Sequence, residues 1–417
     1  MPGKLLILIF CILFELCLGC HLNTNKKVFT ITSQDPVPGA TKVSVNTTIR
    51  IQFARDVDSL TLASNIKVWK NGLDQVAGTV SYENSTRTAV FTPTLFLAAN
   101  TLYEVEVKSG VNSLDGYRLD SNYVWTFTTQ VQFSWQLNYQ QAGQKTLYAL
   151  WFVTSQTGWV VGDNVILRTI DSGVSWQEQT LPSAVVYRCV FFSDASHGWI
   201  GGHSGVVLRT TNGGTAWDVL LLPTLFDVYG VQFVSASQGW VIGAGGNIYT
   251  TTDAGLNWTQ QSALTASALR SIYFVSAAIG YIVADSGQIF RTEDSGSSWQ
   301  TQTSNTSVNL QAIDFAGANT AWVTGDGGVL LKTVNGGTSW LAKSSGTALK
   351  LNNVFFWDAN VGWAVGAGGI IIYSSNGGDS WYSQTSGTNN ELLGVWFVSA
   401  TTGWAVGHNG FILKGTE

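Results

Sequence analysis

Nine charged or imidazole-bearing residues stand in short segments between apolar runs, where they could meet a ligand: Arg188, His203, Asp227, Arg270, Asp285, Asp326, Lys350, Glu391 and His408. Two carboxylates held about 5–10 Å apart can cleave a glycosidic bond, one as acid and the other as nucleophile or base. The acids of this set, Asp227, Asp285, Asp326 and Glu391, lie far apart in the chain, so sequence alone does not measure their separations. Arg188 and Arg270 occupy matching places, four residues before Phe192 and Phe274. Exposed, solvated charge is the ordinary state of such loop residues. Tyr148, Phe226 and Tyr229 add exposed aromatic candidates for holding a sugar without cleaving it.

The elements that position these residues repeat. Seven Trp residues return every 41 positions: Trp135, Trp176, Trp217, Trp258, Trp299, Trp340 and Trp381. A period of about 40 to 45 residues marks a propeller. Each unit reads as an apolar run (Val231-Gln232-Phe233-Val234), a Gly-Trp strand (Gly239-Trp240-Val241-Ile242-Gly243), a third strand (Asn247-Ile248-Tyr249-Thr250), a turn, and a last strand led by Trp. Four strands make one blade. The last unit stops after Lys414, before its turn. Conversely, Phe133-Ser134-Trp135-Gln136-Leu137-Asn138 has the outer-strand pattern with no three strands ahead of it. Residues near 131–140 are therefore expected to complete the last blade, closing a seven-bladed β-propeller over residues 131–417 and removing an exposed edge. In such a ring the nine residues above fall on the loops entering the inner strands and on those between second and third strands.

The turn reads T/S-x-D/N-x-G-x-x-W and occurs six times, centred on Asp171, Asn212, Asp253, Asp294, Asn335 and Asn376. This is the Asp box. The side chain bonds backbone N–H groups of its own turn, Gly takes positive φ, and Trp packs beneath. Recurrence in every unit assigns these acids and amides to structure. Arg168, Arg209, Arg291, Lys332 and Lys414 recur just before the turn and read as the solvated face of a strand.

Ahead of the repeat, residues 33–129 alternate in short strands of period two, as in Thr48-Ile49-Arg50-Ile51-Gln52-Phe53 and Leu102-Tyr103-Glu104-Val105-Glu106-Val107. Seven or so such strands in about a hundred residues indicate a β-sandwich. The fold class is all-β. Residues 1–20 read as an export signal, with Lys4 followed by an apolar stretch at residues 5–14 too short to span a bilayer as a mature helix. Leu16-Cys17-Leu18-Gly19-Cys20 resembles a bacterial lipobox. That resemblance implies acylation at Cys20, a tether over residues 21–32, and a membrane-anchored lipoprotein of the cell envelope, periplasmic or at the surface. An ordinary signal peptide cut nearby is the alternative.

Only Cys189 of the four Cys lies in the folded part, within the apolar run Cys189-Val190-Phe191-Phe192, so a buried, inert thiol is expected. No metal-ligand cluster and no cofactor motif stand in the chain. The formal net charge of −5 argues against a phosphate-neutralising surface and hence against a nucleic-acid partner.

The sandwich resembles the bacterial Ig-like domain of surface proteins through Pro38-Gly39-Ala40, Ile51-Gln52-Phe53, Phe91-Thr92-Pro93 and Trp125-Thr126-Phe127-Thr128-Thr129. It implies a spacer or adhesion module. The repeat, in phrases such as Val395-Trp396-Phe397-Val398-Ser399-Ala400 and Gly403-Trp404-Ala405-Val406-Gly407, resembles the photosystem II stability/assembly factor family. That likeness implies a non-catalytic scaffold with protein partners. The family binds its partner through clustered Arg residues; no comparable cluster is evident here, so the fold and scaffold logic carry over and the photosynthetic partner does not. Sialidases also use Asp boxes, so glycoside hydrolysis and glycan binding remain the alternatives, although their Arg triad and Arg-Ile-Pro start are missing.

Overall fold

The computed structural model describes residues 29–95, 97–98, 101–129 and 133–416. The export signal, Cys20 and most of the tether lie outside the described residues. The chain divides into two compact units, Met1–Gln130 and Val131–Glu417.

The first unit packs two sheets face to face. One orders its strands Ile31–Asp35, Ile49–Phe53, Thr88–Pro93 and Gly78–Glu83. The other orders Ala40–Val43, Tyr123–Thr129, Leu102–Val107, Ile66–Lys70 and Asp74–Gln75. The inward residues of the period-two pattern, Ile49, Ile51, Phe53, Val68, Val105 and Phe127 among them, form one dry core. Phe29 is buried in that core and Ile31 opens its first strand, so the sandwich starts inside the segment read as tether. The apolar side chain at Phe29 gains more from burial than a solvated tether would allow.

The second unit contains seven four-stranded antiparallel sheets, the architecture of a β-propeller. Six use four consecutive strands each. The seventh runs Ser134–Gln140, Phe411–Thr416, Thr402–Gly407 and Leu392–Ser399, so the first strand of the unit pairs with its last, Trp135 opposite Gly415. The inner strands are Leu147–Phe152, Tyr187–Phe192, Val228–Phe233, Leu269–Phe274, Leu310–Ala316, Leu351–Phe356 and Leu392–Ser399. Each packs against the next, and the last packs against the first.

Aromatic pairs couple neighbouring sheets. The second-strand Trp stacks on a Phe of the next inner strand: Trp159 on Phe192 at 3.5 Å, Trp322 on Phe356 at 3.3 Å, Trp363 on Phe397 at 3.4 Å, and Trp404 on Phe152 at 4.1 Å. The Asp-box Trp of that next sheet then meets the same Phe edge-on, as Trp381 meets Phe356 at 88° and Trp217 meets Phe192 at 82°. Trp135 meets Phe397 in the same way, at 87°, which places it in the Trp series although it arrives from the other end of the unit.

A hydrogen-bonded latch accompanies the stacking. Trp199 Nε1 donates to Ala254 O at 3.0 Å, and Trp322 Nε1 to Gly377 O at 2.9 Å, each on the following Asp box. Gly378 sits there at φ +80°, and an added Cβ would come 2.5 Å from Trp322 Nε1. Positive φ and the fully buried indole both oppose a side chain. Gly378→Ala is therefore expected to destabilise the propeller by about 2 kcal/mol or more, read as a lower Tm by calorimetry.

Candidate functional site

The start of each inner strand turns one side chain towards a central cavity of about 390 Å³. In chain order these are Tyr148, Arg188, Tyr229, Arg270, Gln311, Asn352 and Leu393, a rim that alternates aromatic and cationic groups over its first four positions and ends on two amides and a leucine. Fifteen residues later the chain returns to the same mouth through the turn after its second strand. That return places His203 beside Arg188, Asp285 beside Arg270 and Asp326 beside Gln311.

Arg188 lies 4.0 Å from the Tyr148 ring centroid and its Nε donates to His203 Nε2 at 3.0 Å. His203 in turn stands 3.7 Å from Asp227, whose Oδ1 accepts from Ser204 N at 3.3 Å. Arg270 lies 5.1 Å from the Tyr229 ring and grips Asp285 with two hydrogen bonds of 2.8 and 2.7 Å. Asp326 accepts from Gln311 at 3.0 Å and from Asn309 at 3.1 Å, and Glu391 accepts from Asn352 at 2.9 Å. The backbones of Lys350 and His408 pair in the same rim turns, with Ala367 and Glu391. Neither side chain makes a hydrogen bond or ion pair among the described residues. The nine residues read from sequence thus share one mouth, but as separate small clusters and not as a single constellation. Phe226 differs from expectation: it is buried and stacked on Tyr249 at 5.6 Å, because its loop folds under the strand it enters. Tyr148 and Tyr229 remain partly exposed at the rim.

Deeper in the channel a second tier carries Trp151, Phe191, Gln232, Tyr273, Asp314, Phe355 and Trp396. The sequence reading above does not include this tier. Its signal is an acid and an amide at the one inner-strand position that otherwise holds aromatics. Gln232 Oε1 accepts from Phe274 N of the next sheet at 2.7 Å, and Asp314 Oδ2 accepts from Phe356 N at 2.6 Å. What surface Asp314 keeps faces the channel, yet protein crowds it closely, and burial pushes its carboxyl up to about 7.

The Asp boxes do structural work. In the first, Thr169 Oγ1 accepts from Gly173 N at 2.8 Å, while Asp171 accepts from Ser175 N and Ser175 Oγ at 2.9 and 2.6 Å. Bonds from Asn257 and Ser298 hold the carboxyls of Asp253 and Asp294 down to about 2. Lowered carboxyl values favour the fold above the ordinary carboxylate range, and that support is lost as pH falls towards 2. Asn212, Asn335 and Asn376 make the same turn uncharged. The double variant Asp253→Asn/Asp294→Asn is therefore expected to melt below wild type at neutral pH and to approach it near pH 2, flattening the fall between pH 4 and pH 2, tested by melts across that range.

The recurrent cations before the turns are not simply solvated, as their periodicity suggests. Arg168, Lys332 and Lys414 lie over Trp159, Trp322 and Trp404 at 5.7, 5.9 and 5.3 Å, and Lys414 Nζ bonds Ser172 O of the neighbouring turn. Cys189 is buried against Gly201, and burial pushes its thiol up to about 12. In the native protein it should resist a disulfide reagent that labels it at once after unfolding.

The Bacterial Ig-like domain family matches residues 25–129. The Photosynthesis system II assembly factor YCF48 family matches residues 128–272 and again 257–352. No curated protein matches the chain. Among solved structures, YCF48 bound to a D1 peptide is 23% identical with a TM-score of 0.59, covering 68% of this chain and 97% of that one. YCF48 from Cyanidioschyzon merolae is 22% identical with a TM-score of 0.58, covering 67% and 98%. A catalytically inactive virginiamycin B lyase from Staphylococcus aureus with quinupristin has a TM-score of 0.61 at 17% identity, covering 69% and 100%. At these identities the likeness speaks for the fold.

Proposed function

We propose, since the chain belongs to the Photosynthesis system II assembly factor YCF48 family, that it is a non-catalytic scaffold whose seven-bladed propeller takes a protein partner at the rim bearing Tyr148, Arg188, Tyr229 and Arg270. The observation that carries this reading is the alternation of aromatic and guanidinium groups around half of one open mouth. Tyr and Arg are the side chains that dominate protein-binding hot spots, because each combines a large apolar area with hydrogen-bonding capacity. A relative solved with a D1 peptide supports a protein segment as the ligand class. The partner itself does not transfer: this rim sets Asp227, Asp285, Asp326 and Glu391 against Arg188, Arg270 and Lys350, a different charge balance from a clustered Arg surface.

The state of the rim carboxylates argues against hydrolysis. Asp285 is occupied by Arg270, Asp326 by two amides and Glu391 by Asn352. An acid catalyst for glycoside cleavage needs a carboxyl held protonated near neutral pH. The carboxyl pushed up to about 7, Asp314, stands below the rim. Glycan holding through Tyr148 and Tyr229 is the second reading, favoured by their partial exposure.

The Ig-like module is typical of bacterial surface proteins and fits a spacer that holds the propeller away from an envelope. No helix among the described residues is long and apolar enough to cross a membrane. The anchor in this proposal is acylation at Cys20.

The test is affinity capture with the full chain, followed by a screen of a glycan panel. The wild-type chain should retain a defined protein set, and Arg188→Ala/Arg270→Ala should reduce it about tenfold or more. Release of sugars from the panel, or capture unchanged by the double variant, would overturn the proposal.

A further inference from the structure

The deeper tier of the channel holds two features beside the contacts between its sheets. Along one wall four aromatic side chains run unbroken. Ring centroids of Phe355 and Trp396 lie 5.1 Å apart, those of Trp396 and Trp151 4.3 Å, and those of Trp151 and Phe191 4.8 Å. One sheet from Phe355, and three sheets away from both Trp151 and Phe191, stands Asp314. Its hydrogen bonds come from backbone N–H groups, and no cationic side chain pairs with it among the described residues. The bridge it makes to the next sheet does not explain its charge, because Gln232 makes the same bridge two sheets earlier with a neutral side chain.

We propose that this tier is a binding site for an alkylammonium group, with the aromatic arc on one side of the cation and the Asp314 carboxylate on the other. Aromatic faces attract a cation within about 6 Å of the ring centroid, most strongly where water is excluded. A carboxylate opposite them supplies the counter-charge that a desolvated cation needs. An anion is disfavoured by the same carboxylate and by the acidic balance of the mouth above it. The cations at that mouth are partly committed, Arg270 to Asp285 and Arg188 to the rim beside His203. A cavity of about 390 Å³ is room for one side chain or one small molecule. Burial raises the Asp314 carboxyl, and a bound cation would draw it back to the charged form.

The ammonium could be a lysine side chain, plain or methylated, on a docked segment, or a free quaternary ammonium compound. The inference stands apart from the proposed protein partner and can fail without it.

Calorimetric titration of the full chain at pH 8 tests it with three probes: choline, its neutral isostere 3,3-dimethylbutan-1-ol, and N-acetyl-lysine methylamide. At least one of the two cations should give saturable heat, with the isostere about tenfold weaker or more. Choline binding more tightly points to a free quaternary compound, and the lysine derivative binding more tightly points to a side chain. Asp314→Asn, which keeps an acceptor for Phe356 N, should weaken the cation about tenfold while its melting curve shows an intact fold. Equal binding of choline and the isostere, no saturable heat from either cation, or full binding by a folded Asp314→Asn protein would overturn the proposal.

Discussion

Asp314→Asn should make the protein more stable at pH 7 and leave it unchanged near pH 3. In the unfolded chain this carboxyl ionises near 3.8, but in the channel burial holds it protonated to about 7. A folded-state value above the unfolded one favours the fold fully below pH 4, and the advantage is lost as pH rises to 7. Across that window the unfolded chain has released a proton that the folded chain still holds. Each pH unit separating the two values is worth about 1.4 kcal/mol, so the cost at neutral pH is roughly 2–4 kcal/mol once the lumen's water is allowed for. The Asn amide preserves the acceptor for Phe356 N and never ionises. Melts of both proteins from pH 3 to pH 8 should show curves that coincide in acid and separate by several degrees at pH 7. Parallel curves throughout would mean that the carboxyl is ordinary and the channel well hydrated.

Trp135→Ala should destabilise the protein more than Gly378→Ala or any substitution at the rim. Trp135 meets Phe397 edge-on and bonds Gln384 Oε1 at 2.8 Å, on the outer strand of the sheet before its own. It is thus the side chain through which the strand Ser134–Gln140 is locked to two sheets at once. Truncating a buried Trp costs about 3–5 kcal/mol. Here it also loosens the strand that covers the edge of Phe411–Thr416, exposing a template for intermolecular pairing. Leu137→Ala, on the same strand but half exposed, should cost less than about 1 kcal/mol. Calorimetry and light scattering on the pair would separate the two cases. A Trp135→Ala protein that melts within a degree of wild type would show that this strand is dispensable.

Much of the architecture is legible in the sequence because it is written by side chains that recur. The Trp interval, the Asp box and the incomplete last unit together lead to the expectation that residues near 131–140 complete the last sheet; the register, Trp135 opposite Gly415, comes from the structure. Local turn chemistry determines each Asp box within eight residues, so no distant information is needed. The rim is legible only as a set of places. That Arg270 closes on Asp285 while Arg188 meets His203 depends on which side chains face each other across one sheet, a fifteen-residue separation that no local pattern announces. Arg168 and Lys414 look solvated in the sequence because charge predicts exposure; their cationic groups lie over indole rings instead. Phe226 looks exposed because it stands in a loop, but it tucks beneath the inner strand. Asp314 is hidden by its neighbours: within Ile313-Asp314-Phe315 an acid reads as the solvated side of a strand, and only the ring turns that side into a channel.

The central claim is that a protein partner sits on the mouth bearing Arg188 and Arg270. Site-specific photocrosslinking tests it most directly, with a benzophenone side chain placed at Tyr229 on the rim or at Leu341 on an exposed outer strand. Irradiation of the full chain with its captured proteins should yield covalent adducts from position 229 and none from position 341. Adducts from 341 alone, or equally from both, would contradict the account.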